Sequence, residues 1–168
     1  MALGLNLACG ATLARLSLDE MIGKSTAIVR GRVTGSSAAM HGTIIYTYYS
    51  IQVTEQFKGP SQSFVTFAVP GGVANNRRQT FPGAPEFKSG DDFVFFLWTG
   101  KSGATQIIGL TQGLFRLSSV ANGDAVATRP ASAELMLDRA TGEPVKDRAV
   151  VMNLSDLRAH IASVAGAH

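Results

Sequence analysis

Hydrophobic and polar positions alternate along most of the first two thirds of the chain. In "AIVRGRVTG" the residues Ala27, Val29, Gly31 and Val33 fall on one side, with Arg30, Arg32 and Thr34 on the other, the pattern of a strand with one wet face. From Thr43 to Phe57 a longer run keeps Ile45, Tyr49, Ile51, Val53 and Phe57 in phase and places Tyr46 and Tyr48 out of phase. A strand of that length bends or carries a bulge. "KGPS", Lys58 to Ser61, supplies a turn into a third strand, Ser63 to Val69. Phe93 to Trp98 is apolar at nearly every position, which predicts a central strand covered on both faces. "TQIIGLTQGLFRL" gives one or two further strands interrupted by Gly109 and Gly113.

Helical spacing occurs only near the ends. "LSLDEMIGKS" predicts a short helix in which Ser17 caps the Glu20 amide, Glu20 reaches back, and Leu16 staples onto Met21. Near the C-terminus Leu154, Leu157, Ile161 and Val164 share one helical face, preceded by a hairpin whose turn lies in "ATGEPVKD". Between the third and fourth strands the segment Val69 to Leu97 is rich in Gly and Pro. Gly71 and Gly72 are expected to release the chain from the third strand, Pro82 and Pro85 to stiffen the return, and Gly90 to turn it into the fourth.

The 168 residues suit one compact domain, and 45% hydrophobic with 16% charged residues is the composition of a globular protein. The net charge of +3 arises from scattered single cations, with only Arg77 and Arg78 adjacent, so nucleic acid is a disfavoured partner. Ala2 to Leu13 is apolar and uncharged, ends in small residues, and reads as the end of a secretory leader, residues 1–14, cleaved before Arg15. A secreted or periplasmic location follows, with a frayed apolar tail as the competing account. No stretch reaches the roughly 18 apolar residues of a membrane span. Cys9 is the single cysteine, which excludes an internal disulfide.

"AIVRGRV", the strand ending "YSIQVTEQFKGP", and "SFVTFAVPGGV" together resemble the N-terminal module of tissue inhibitors of metalloproteinases and the wider netrin-like group. "FKSGDDFVFFL" and "GLTQGLF" are similar to the fourth and fifth strands of that group, so the likeness covers Ala27 to Leu117. The resemblance implies a mainly β fold: a five-stranded OB-type barrel over residues 15–128, with a short N-terminal helix, and a hairpin plus helix, 129–168, packed on it. It also implies a metalloproteinase as partner, inhibited by a disulfide-pinned N-terminal cysteine that chelates the zinc. Only Cys9 is available for that role and it has no partner cysteine, so the fold is carried over and the inhibitory mechanism is not.

Catalytic and metal motifs are absent from the sequence. "GKST", Gly23 to Thr26, lacks the upstream glycine of a phosphate loop and closes a helix instead of opening one. "GDD", Gly90 to Asp92, reads as a turn at a strand mouth, and His41, His160 and His168 have no partner at metal spacing. No cofactor is expected. Two exposed features are candidates for partner binding. Tyr46 and Tyr48 are an aromatic pair on the outer face of the second strand, for which cross-strand packing is the plainer account. Asn75, Asn76, Arg77 and Arg78 form a polar loop tip able to grip an acidic partner, or only to be solvated. The functional expectation is an exported, non-enzymatic protein-binding module; the alternative is an oligonucleotide or oligosaccharide binder using the barrel face.

Overall fold

A computed structural model describes residues 12–119, 121 and 123–167. Cys9, His168 and most of the expected leader lie outside them. The described chain opens with strand β1 (Thr12–Ala14) and helix α1 (Leu18–Lys24). The helix begins as its sequence requires, with both hydrogen bonds of the Ser17–Glu20 capping box in place. Cleavage before Arg15 would remove β1. That strand is tied in by the Arg15 amide, which donates to the Leu137 carbonyl, and by the buried Gln112 amide, whose Nε2 donates to the Ala14 carbonyl and whose Oε1 accepts from the Leu16 amide.

The long strands follow: β2 (Ala27–His41), β3 (Ile44–Lys58) and β4 (Phe64–Pro70), then a short hairpin of β5 (Gly72–Ala74) and β6 (Arg77–Gln79). After the loop 80–91 come β7 (Asp92–Thr99), β8 (Thr105–Ile107), β9 (Leu114–Ser118) and β10 (Val126–Arg129). The chain ends with β11 (Leu135–Leu137), β12 (Pro144–Val145), β13 (Val150–Asn153) and helix α2 (Leu154–Ala165). Among the described residues, the principal sheet is antiparallel in the order β13-β10-β9-β7-β2-β3-β4, with β8 also paired to β7. A second sheet, β1-β11-β12, pairs the two ends of the chain, and β5-β6 stands apart.

The expected five-stranded OB-type barrel is therefore corrected. The fold is mainly β, but no sheet closes among the described residues. The five longer strands foreseen are present as β2, β3, β4, β7 and β9. Closure fails because the outer edge of β9 is taken by β10 and then β13, which carry the sheet onward. At the other end β4 and β8 approach each other without a ladder hydrogen bond.

Both faces of the central strands of this sheet are buried. On one, Ile28, Val94, Phe96, Phe115 and Ala127 pack against Met21 and Ile22 of α1 and Leu154, Leu157 and Ile161 of α2. On the other, Val29, Val33, Ile51, Phe67, Phe93, Phe95 and Leu97 form the inner core. Consecutive residues of β7 enter opposite cores, which explains its unbroken apolar sequence. Phe87, from the Gly- and Pro-rich loop, sits among Tyr49, Phe67, Phe93 and Phe95 with ring centroids 4.9 to 5.8 Å away, so this loop is part of the core.

The β2–β3 ladder slips three times, leaving Thr34 on β2 and Thr54 and Phe57 on β3 as extra residues. Each slip reverses which face the following residues meet. Phe57 accordingly leaves the face of Ile51 and Val53 and packs, half-buried, on the helix side, beneath the Arg158 guanidinium at 6.0 Å. Its neighbour Lys58 reaches the C-terminus of α1, where Nζ donates to the Ile22 carbonyl at 2.7 Å and the Gly23 carbonyl at 3.3 Å.

Candidate binding faces

The six residues singled out from sequence lie on two different faces. Thr47 and Tyr49 point toward the β5–β6 hairpin: the Thr47 hydroxyl donates to the Gly71 carbonyl at 2.8 Å, and a side chain on Gly72 would strike that hydroxyl. Tyr46 and Tyr48 alternate with them and project from the reverse side. The Asn75–Arg78 tip is therefore separated from the tyrosines by the thickness of the sheet.

At that tip Asn75 and Asn76 take consecutive left-handed conformations, φ 51° and 59°, the turn a two-residue hairpin favours. Their residue types are accounted for by the turn. Gln79 fastens the hairpin by imitating a strand: its Oε1 accepts from the Ile45 amide at 2.6 Å and its Nε2 donates to the Thr43 carbonyl at 2.8 Å. Arg77 and Arg78 are exposed on β6.

On the reverse side Tyr46 and Tyr48, both half-buried, line a groove of about 280 Å³ with His41, Ala68, Ser102, Ala104 and Gln106. The groove runs over the unpaired seam between β4 and β8. Register extends this face: Tyr48 opposes Ala68, and Phe64, two alternations along β4, is 61% exposed. Gln106 opposes Trp98, which is 47% exposed. Tyrosine, tryptophan and phenylalanine are thus presented on one side of the sheet, with Ser50, Thr66 and Gln52 between the groove and Phe64. The sequence marks the tyrosines; it puts Trp98 in a strand covered on both faces, whereas Trp98 is exposed at that strand's end, and Phe64 carries no mark of its own.

Asp91, Asp92 and His160 have structural partners. The Asp91 carboxylate accepts from the Lys88 amide at 2.8 Å, and Asp92 clamps Arg30 through two hydrogen bonds of 3.2 and 2.8 Å. His160 Nε2 lies 2.5 Å from Asp19, joining α2 to α1. Among the described residues no three His, Cys, Asp or Glu side chains gather as a metal site, and no helix is long and apolar enough to cross a membrane.

A second concavity, about 220 Å³, opens between the β5–β6 hairpin and the segment Thr80–Glu86. It meets the inner core at Tyr49 and carries Arg78 and Glu86 among its lining residues. Sequence reading placed Tyr49 inward and Arg78 on a loop, and gave no sign that Glu86 would join them. The chain matches no family model and no curated protein sequence.

Proposed function

We propose that this protein is an exported, non-enzymatic binding module that engages a protein partner through the face of Tyr46, Tyr48, Phe64 and Trp98. The observation that supports it is a set of aromatic side chains left exposed or half-buried on one side of the principal sheet, beside a groove. Tyr and Trp give a large contact area with little side-chain entropy to lose, and their polar ends tolerate water when the face is free. The groove between the tyrosines and Gln106 is the size of one or two inserted side chains, as a protein anchor requires. A saccharide would stack on a ring lying flat and open, whereas both tyrosines are half-buried. Export rests on the apolar stretch Ala2 to Leu13.

A photo-crosslinking amino acid at position 48 tests this in the native host. The expected result is one discrete protein adduct that is absent when the probe replaces exposed Ala162, and that is lost when Ala68→Arg fills the groove. An adduct indifferent to Ala68→Arg, no adduct, or saturable binding to a glycan panel would each overturn the reading.

A further inference from the structure

The concavity behind the β5–β6 hairpin has the features of a ligand site distinct from the aromatic face. Tyr49 is only 7% exposed, with its ring wedged between Phe67 and Phe87, and its hydroxyl makes no hydrogen bond to any described residue. Tyr49 lines the cavity, where its unpartnered hydroxyl is open to a ligand. Val69, Phe81 and Ala84 add apolar wall. Arg78 and Glu86 line the same cavity, and neither forms an ion pair or side-chain hydrogen bond with a described residue, including each other.

We infer that this cavity binds a small zwitterion, an α-amino acid or a molecule of the same charge pattern. Its carboxylate meets the Arg78 guanidinium, whose fork geometry suits two parallel hydrogen bonds. Its ammonium meets Glu86, its apolar portion lies on Val69, Phe81 and Ala84, and the Tyr49 hydroxyl completes the polar contacts. A simple anion would face Glu86, and a simple cation would face Arg78; only a ligand with both charges satisfies the pair. The volume lies below the roughly 300 to 1,000 Å³ of pockets for drug-sized ligands, which restricts the class to small molecules.

Calorimetric titration of the full chain with each proteinogenic L-amino acid tests the assignment, alongside the N-acetylated and amidated form of each. At least one free amino acid should bind saturably and raise the melting temperature, and both blocked forms of it should not. Arg78→Ala and Glu86→Gln, both surface changes, should weaken that binding by about tenfold or more, the loss of one charge-assisted contact. Tyr49→Phe should weaken it severalfold. The proposal is overturned if no free amino acid binds, if the blocked forms bind equally well, or if Arg78→Ala and Glu86→Gln keep wild-type affinity. Because Tyr46 and Tyr48 lie on the reverse of the sheet, this result and the crosslinking result are independent.

Discussion

Gly59 takes φ 90°, and a Cβ there would stand 2.5 Å from the Thr26 carbonyl oxygen, a backbone atom with no room to retreat. Gly59→Ala should therefore destabilise the protein by about 1 to 3 kcal/mol, read as a lower denaturation midpoint in urea. Two residues earlier, Phe57 shows how periodicity misleads. Its spacing from Ile51 and Val53 puts it in the inner core, yet the slip at Thr54 carries it to the helix side, where it is only half-buried. Phe57→Ala is expected to cost about 1 to 2 kcal/mol, against about 3 to 5 kcal/mol for the fully buried Phe96→Ala. Equal midpoints for the two variants would contradict the register. A bulge leaves no mark on the hydrophobic pattern, because it changes the ladder and not the sequence spacing. The "FKGP" corner was legible as structural, and its parts are now explained: Lys58 caps α1, and Gly59 lets the turn pass the start of β2.

Elements were legible in proportion to their length. β2, β3 and β4 are long enough to display a period of two, β7 a continuous apolar run, and α2 a helical period. β5, β6, β8 and β10 to β13 hold only two to four residues each, too few for any period, and β11 and β13 take partners distant in sequence. The segment between β10 and β13 is held by a device that periodicity also cannot reveal. Arg129 and Asp147 are buried to 6% and 2% side-chain exposure and joined by hydrogen bonds of 2.6 and 3.1 Å. Arg129 also donates to the Arg148 carbonyl, and the Ser132 amide donates to Asp147. Burial opposes the Asp147 charge, but the Arg129, Ser132 and Arg148 hydrogen bonds outweigh it and hold its pKa below the ordinary carboxylate value. A carboxyl that ionises more readily in the folded state contributes stability that is complete above its unfolded pKa, near 4, and is lost as pH falls through the folded value. Asp147→Ala should cost about 3 to 5 kcal/mol at neutral pH, since it strands a buried guanidinium. Melts between about pH 7 and pH 3 should then show a shallower acid dependence for the variant than for the wild type; parallel curves would refute the role assigned to Asp147.

At the scale of the molecule, the two cores meet only through the backbone of the shared sheet, and β7 lies between them. Its amides should be the slowest to exchange with deuterium, while the amides of β4 and β8 that face the unpaired seam should exchange first; uniform protection across the sheet would mean that the seam is closed in solution. The candidate faces were the least legible feature, because the union of Arg78, Glu86 and Tyr49 and the separation of Tyr46 from Asn75 both depend on how the sheet curls. The pairing of the chain's two ends has a further consequence. β1 hydrogen-bonds β11, with Thr12 opposite Leu135, and α1 packs against α2 with Asp19 beside His160, so two elements near the start of the described residues complete their contacts only with partners far along the sequence. Met21 and Ile22 pack against Ile28, Val94 and Phe96 as well as against α2, so their cover is incomplete until α2 is made. The helix-side core of such a chain cannot be completed until α2 has been made.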